Sequence, residues 1–172
     1  MYFWLIVVIG VILCVLLLQF DRYRWRGYRM ARGRFFYTHP LQLGTLQQYC
    51  YHLTVNADVQ RKLINNLMLN EQHDEVYNTV WLLYTPSQYF PVIQVWYRHI
   101  LLTDLDTHYA QALYNSLIDH DFAIGRPIAV VARFRYFRLT HSEGRLACQV
   151  QLDLPEDPLS VSELILVPTN EQ

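Results

Sequence analysis

The chain has 172 residues, of which 52% are hydrophobic and 17% are charged, and its formal net charge is −1. Beyond a short N-terminal segment, this length holds one domain with a real core. The near-neutral total hides a split. Residues 21–34 carry six arginines and one aspartate, whereas residues 35–172 carry eight basic and fourteen acidic side chains, a difference of −6. An acidic domain is repelled by polyanions, which argues against nucleic acid as a partner.

The first residues form an uncharged, apolar run from Tyr2 to Phe20. At a helical rise of ~1.5 Å per residue the run measures roughly 28 Å, about the thickness of a bilayer's hydrocarbon core. A cleaved signal peptide fits less well, because no charge precedes the run and no small residues end it. A buried core helix is usually shorter than this. The run therefore predicts a transmembrane helix over residues 1–20.

Arginine and aromatic residues alternate directly after the run and form a predicted basic juxtamembrane segment over residues 21–37. Positively charged flanks stay on the cytoplasmic side, so we expect the N-terminus outside and the main domain in the cytoplasm. Tyrosine, tryptophan and arginine at this depth contact headgroups, which makes an anionic lipid bilayer an expected partner. The predicted membrane-interface residues are Arg22, Arg24, Arg26, Arg29, Trp25 and Tyr28.

The reverse topology, with the domain outside the cytoplasm, is the alternative. Cys50 and Cys148 bear on it, because disulfides persist only in oxidising compartments. An intramolecular disulfide between these two residues would indicate an extracytoplasmic domain.

Helical spacing of apolar residues dominates the first part of the predicted domain, residues 38–168. Asn56 or Asp58 is a suitable N-cap for the second of its helices. Residues 71–85 fit a helix and a strand equally, because their apolar positions satisfy both periods. The predicted helices cover residues 41–53, 56–70, 91–100 and 103–118.

The last third of the chain changes to a period of two, which is typical of strands. Predicted strands cover residues 128–139, 145–154 and 161–167, with a turn at 140–144. A lone hairpin is marginally stable, so the strands should form one small antiparallel sheet packed on the helices. The predicted class is α+β, with an N-terminal transmembrane helix, a helical half, a three-stranded sheet and a disordered tail at residues 169–172.

A basic cluster on the first predicted strand is an exception in this acidic domain. Arg133 and Arg135 share one strand face, and Arg145 is expected to oppose them across the turn. Such a cluster grips an acidic partner or a phosphate, although it also fits the solvent face of an amphipathic strand. The predicted partner-binding residues are Arg133, Arg135, Arg138, Arg145 and Tyr136.

Histidine and aspartate supply the alternative site. Asp104 and His108 share a predicted helix face, with His99 upstream and His120 between two acids. No third ligand is spaced for a metal, so neither a metal nor another cofactor is expected. The sequence also lacks the glycine-rich phosphate loops, the G-x-S-x-G elbow and the H-E-x-x-H zinc motif, which excludes the commonest motif-bearing enzymes.

Together these features predict a single-pass membrane protein whose domain binds a protein partner, or a second copy, as an accessory or scaffold subunit. Abundant tyrosine and tryptophan favour this interpretation, because aromatic residues are enriched at protein interfaces. The alternative is a membrane-tethered enzyme or small-ligand sensor, which requires the histidines and aspartate to converge on one polar pocket.

Overall fold

The computed structural model describes residues 16–17, 19, 31–67, 74–122, 125–138 and 146–166. The chain divides into two compact units, Met1–Thr38 and His39–Gln172. In the first unit, residues 31–38 form helix α1, and the guanidinium carbon of Arg32 lies 5.9 Å from the centre of the Phe36 ring. All other elements named below belong to the second unit.

Within those ranges, no helix combines the length and the apolar character needed to cross a bilayer. The longest has 11 residues, which is about 17 Å at a helical rise of 1.5 Å, against a hydrocarbon core of about 30 Å. The described residues therefore contradict the predicted single-pass anchor and the cytoplasmic placement that was inferred from it. Of residues 1–20, only Leu16, Leu17 and Gln19 are described, all in helical conformation. The predicted interface residues between 22 and 29 lie outside the described residues.

A seven-stranded sheet forms the body of the second unit. The strands stand in the order β2-β7-β6-β3-β4-β5, and β1 pairs with β6 beside the end of β7. The β1–β6 pair is parallel, and every other pair is antiparallel. The strands are β1 Leu41–Gln42, β2 Tyr51–Leu53, β3 Glu75–Thr85, β4 Val92–Tyr97, β5 Ile100–Asp104, β6 Ile128–Arg138 and β7 Leu146–Leu152.

Strand β6 lies at the centre of the sheet, and its residues show why the two faces of the sheet differ. Val130 and Phe134 are buried on one side, while Arg133 and Arg135 alternate with them on the other. Because successive side chains point to opposite faces, this alternation divides the whole sheet. The inner face carries Val80, Ile93, Val130 and Phe134, and the outer face carries Tyr77, Trp81, Trp96 and Arg133.

Helices cover the inner face. Helix α2, Ala57–Leu67, begins where the backbone N–H of Val59 donates to the Asn56 side chain at 2.9 Å, as expected for an N-cap. Helix α3, Thr107–Ser116, is capped by Asp106 and packs against a 3-10 helix, Pro158–Leu164. The buried residues of these helices join those of the inner face in one hydrophobic core.

The sheet curls around the helices so that its edges approach each other. Strands β2 and β5 stand at opposite ends of the strand order. Even so, the N–H of Asp106, just after β5, donates to the Tyr51 hydroxyl of β2 at 2.9 Å. The rings of Tyr51 and Tyr109 also lie 4.5 Å apart, centre to centre. This closure gives a domain with few helices a well-enclosed core.

The predicted fold class was wrong, because a large sheet replaces both the helical half and the small three-stranded sheet. Residues 41–53 form β1, a loop and β2; residues 91–100 form β4 and its turn; residues 161–167 begin in the 3-10 helix. The ambiguous residues 71–85 contain strand β3. The Asn56-capped helix and the strands beginning near 128 and 146 are confirmed.

The missed β4–β5 hairpin has a local reason. Val92–Tyr97 alternates between half-buried and fully buried residues, but its apolar spacing also satisfies a helix. The two-residue turn that follows places Arg98 at φ 52°, a left-handed conformation usually marked by glycine or asparagine in tight hairpins. Without that marker, the sequence carries no signal of the turn.

The two cysteines of this unit are free, and their positions exclude a disulfide. Tyr51 pairs with Leu152, so Cys50 lies beyond that end of β7 while Cys148 lies four residues the other way. At about 3.3 Å per residue they are separated by roughly 16 Å, whereas a disulfide requires Cα atoms within about 7 Å. The Cys50–Cys148 disulfide, which would have indicated an extracytoplasmic domain, is therefore sterically impossible in this fold.

Two buried tyrosines provide a matched test of the core. Tyr97 is 2% exposed, and its hydroxyl has no hydrogen-bond partner among the described residues. The Tyr109 hydroxyl donates to the Pro155 carbonyl at 2.8 Å. We expect Tyr97→Phe to leave the free energy of unfolding unchanged or about 1 kcal/mol higher, and Tyr109→Phe to lower it by about 1 kcal/mol. Urea unfolding measures both free energies. A larger loss for Tyr97→Phe than for Tyr109→Phe would contradict the conclusion that the Tyr97 hydroxyl makes no hydrogen bond.

Alkaline pH should destabilise the fold through Cys148. Burial raises the pKa of this thiol from 9.0 to about 12. Its stabilising contribution is complete below the unfolded pKa and is lost as pH rises towards the folded one, because only the unfolded chain releases the proton in that window. Between about pH 9 and 12 we expect wild type to lose up to about 1.4 kcal/mol per pH unit more than Cys148→Ala in urea unfolding. Parallel pH profiles would contradict this.

Candidate binding cleft on the outer face of the sheet

A cleft of about 420 Å³ lies on the outer face, between β3, β6 and the loop that leads into β2. Its walls combine one cation, two aromatic rings, a hydroxyl and an amide. This set of groups recognises a ligand by charge, hydrogen bonds and contact with rings. The lining residues are Thr45, Gln47, Tyr49, Tyr77 and Arg133.

Asp153 builds the wall formed by the loop. It follows β7 and is only 3% exposed. Its carboxylate accepts four backbone N–H groups, those of residues 46, 47, 48 and 49, at 2.8–3.4 Å. Gln47 and Tyr49 adopt positive φ, 58° and 49°, to turn these groups towards it. A buried carboxylate is stable when several N–H groups satisfy it, so the loop and the charge stabilise each other.

Arg133 forms the opposite wall and is held on two sides. Its Nε donates to Gln151 Oε1 at 2.6 Å, and its guanidinium carbon lies 5.1 Å from the centre of the Tyr49 ring. Tyr77 stands directly across from it on β3. A cation over an aromatic face is attracted by the ring quadrupole. The described residues provide no ion-pair partner for Arg133.

Behind Arg133, an amide network fixes its partner. Gln151 is 6% exposed, and its Nε2 lies 3.0 Å from Nε2 of His52 on the neighbouring strand β2. Gln149 Nε2 lies 2.8 Å from Nδ1 of the same ring. A neutral imidazole accepts at one nitrogen only, so the tautomer decides which of the two amides donates to His52. Because Gln151 is buried and lies against His52, the Arg133 side chain has little freedom left to lose on binding.

Tyrosines complete the cleft. The rings of Tyr49 and Tyr77 lie 5.4 Å apart, centre to centre. The Tyr77 hydroxyl donates to the Glu75 carboxylate, and this hydrogen bond, with smaller effects of desolvation and charge, raises the pKa of Tyr77 against the opposing influence of Arg133. Desolvation first, and the charge of Asp153 next, raise the pKa of Tyr49. Both rings therefore remain neutral at physiological pH.

The predicted arginine cluster is only partly assembled. Arg133 lies in the cleft, and Arg135 lies exposed on the same face, opposite Glu75. Tyr136 lies on the other face and packs against the core. The side chain of Arg138 and the whole of Arg145 lie outside the described residues. The binding role of these five residues therefore stays a prediction, and of the described side chains only Arg133 and Arg135 share the outer face.

The histidines and aspartate of the alternative site lie on four different elements. His99 lies in the β4–β5 turn and Asp104 at the far end of β5, about 15 Å away at strand spacing. His108 lies in α3 and His120 in the 3-10 helix Ile118–His120. Across the described ranges, no three histidine, cysteine or acidic side chains are placed to hold a metal.

Sequence reasoning missed the loop residues, His52 and Asp153. Asp153 lies near the end of the predicted strand 145–154 and alternates with apolar residues there, so an acid at this position is unremarkable. Its four donors lie more than a hundred positions earlier in the chain, so no local pattern connects them. Comparisons of the chain with protein-family models, with curated proteins and with solved structures return no match.

Asp153→Asn tests the loop anchor. One amide nitrogen replaces an accepting oxygen, so two of the four N–H groups lose their partner. We expect the free energy of unfolding to fall by at least about 2 kcal/mol, and amide exchange of residues 46–49 to rise by about tenfold or more. Urea unfolding and hydrogen exchange by NMR measure the two effects.

Asp58→Asn is the matched control. The Asp58 carboxylate also has a partner, the Arg61 guanidinium at 3.2 Å, but its side chain is 82% exposed. Its replacement should cost less than about 0.5 kcal/mol. Unchanged exchange of residues 46–49 in Asp153→Asn would show that the carboxylate does not hold the loop.

Proposed function

We propose that the unit His39–Gln172 is a protein-binding domain that docks a partner on the outer face of its sheet, as an accessory or scaffold subunit. One observation carries the proposal. Arg133, an unpaired cation among the described residues, stands beside the exposed ring of Tyr77 and over the ring of Tyr49. Arginine and tyrosine are over-represented among the residues that dominate protein interfaces.

The rest of the outer face supports this. Tyr77 is 51% and Phe137 41% exposed, although both are large apolar rings. Trp81 and Trp96 stand opposite each other on β3 and β4, both half-buried, and Leu101 follows on β5. None of these side chains belongs to the hydrophobic core. Partly exposed aromatic side chains on one face of a sheet, flanked by polar groups, have the composition of a protein interaction site.

Site-specific photo-cross-linking in the full-length chain tests the proposal. A benzophenone amino acid is placed at Tyr77 or Phe137 on the outer face, and at Leu159 in the 3-10 helix as the control. Leu159 is 59% exposed, so it reports random collisions of an exposed side chain. We expect a defined adduct at the two outer-face positions and none at the control.

The captured protein is then identified, purified and titrated by calorimetry. Tyr77→Ala should raise its Kd by about tenfold or more, whereas Leu159→Ala should change it by less than about twofold. An adduct with a second copy of the chain would identify the partner as a homo-oligomer, with the same expected effects. Equal adducts at all positions, or a Kd that Tyr77→Ala leaves unchanged, would refute the outer-face docking site.

A further inference from the structure

We infer that the cleft binds a carboxylate of the docked partner, supplied by an aspartate or glutamate side chain or by a C-terminus, and that Arg133 is the residue that holds it. This inference rests on the proposed docking function and adds the chemistry that the partner must present. The inference follows from which N–H donors of the Arg133 guanidinium are already used in hydrogen bonds and which remain free.

Arg133 has donors to spare. A guanidinium carries five N–H donors and no acceptor. Its Nε–H is committed to Gln151. A side-chain hydrogen bond to the Tyr77 hydroxyl, which opposes the rise in the pKa of Tyr77, uses a further donor, and the guanidinium carbon lies over the Tyr49 ring. The terminal N–H groups carry no ion pair within the described residues. Two parallel N–H groups match the two oxygens of a carboxylate, which is the geometry that arginine recognises best.

The guanidinium is also held before any ligand arrives. Gln151 is buried against His52, and its Oε1 orients Nε of Arg133. Ordering a long, flexible side chain costs affinity at most surface arginines, and here that ordering is already present in the free protein. Arg135, two residues along the same strand face, is exposed, and the described residues show no hydrogen bond that holds its side chain. This difference singles out Arg133.

The surrounding charges favour a monoanion. Three charged side chains lie near the cleft besides Arg133. Glu75 is bound by the Tyr77 hydroxyl, Asp153 is satisfied by four backbone N–H groups, and Arg135 stands opposite Glu75. Both acids would repel a phosphate dianion more strongly than a singly charged carboxylate. Residues 35–172 carry a charge difference of −6, which further disfavours polyanions.

The walls suit a carboxylate that is part of a peptide. The Tyr49 and Tyr77 rings offer apolar contact to the carbon atoms next to the acid group, and Tyr77 is exposed enough to touch a neighbouring side chain. Thr45 and Gln47 add a hydroxyl and an amide that can hydrogen-bond to backbone groups. A bound segment would therefore lie across the cleft with its acid group against Arg133.

Four short peptides test the inference on the wild-type full-length chain. The first carries an internal acid, Gly-Gly-Asp-Phe-Gly with both ends blocked, and the second replaces its Asp by Asn. The third is Gly-Gly-Gly-Phe with a free C-terminal carboxylate, and the fourth is its C-terminal amide. Binding is followed by calorimetry and by the NMR signal of the Arg133 Nε–H group. We expect at least one acid to bind about tenfold or more tightly than its amide and to shift that signal.

The pair of peptides that responds identifies the source of the carboxylate, side chain or C-terminus. Equal binding of acids and amides would overturn the inference, and so would tighter binding of inorganic phosphate. These comparisons use only the wild-type chain, so they do not depend on the folding of a variant. If acid and amide peptides bind equally while cross-linking at Tyr77 persists, the inferred carboxylate ligand is wrong and the proposed docking site is retained.

Variants then assign the residue. Arg133→Gln should reduce acid-peptide affinity by about tenfold or more, and Arg133→Lys should restore only part of it, because an ammonium lacks the paired N–H groups. Arg135→Gln removes an equal charge from the same strand face and should change affinity by less than about twofold. An equal loss in Arg135→Gln would show that diffuse positive charge, and not the held guanidinium, attracts the peptide.

Discussion

The buried carboxylate of Asp153 connects the parts of this domain that sequence keeps apart. Its own N–H donates to the Val131 carbonyl of β6 at 2.9 Å, while its side chain accepts four N–H groups from the loop before β2. One residue thus joins the central strand to a loop more than a hundred positions earlier. Without it, the N–H groups of the loop would have no acceptor to fix them, and Tyr49 would not be held over Arg133.

The same arrangement explains why an arginine stands half-buried on a strand. Leaving a cation partly desolvated is costly unless hydrogen bonds and favourable charges offset the cost. Gln151 supplies a hydrogen bond at 2.6 Å, and the Tyr49 ring supplies a cation–π contact at 5.1 Å. Neither neutralises the charge. A cation that is positioned but not neutralised keeps its attraction for an anion, which is the physical basis for regarding this cleft as a recognition site.

Local sequence patterns succeeded where one short segment contains its own explanation. Asn56 caps α2 because its side chain reaches an N–H three residues on, and β6 and β7 each carry the alternation of apolar and polar residues that is typical of a strand. The β4–β5 hairpin failed because Val92–Tyr97 is compatible with two periods. The choice between them is made by pairing, with Trp96 opposite Trp81 on β3. Such a partner is invisible within the segment itself.

The sequence by itself determined the acidic, aromatic-rich character of residues 35–172, the Asn56-capped helix, the strand alternation after residue 128, and the two arginines on one strand face. These follow from composition and from periods that need no distant partner. Only the tertiary structure decided that seven strands form one curled sheet, that the predicted histidines and aspartate lie on different elements, and that, among the described residues, Arg133 is held by a side-chain hydrogen bond and Arg135 is not. Those outcomes depend on long-range contacts, from Asp153, Gln151 and His52, whose free energy exists only once the chain has folded.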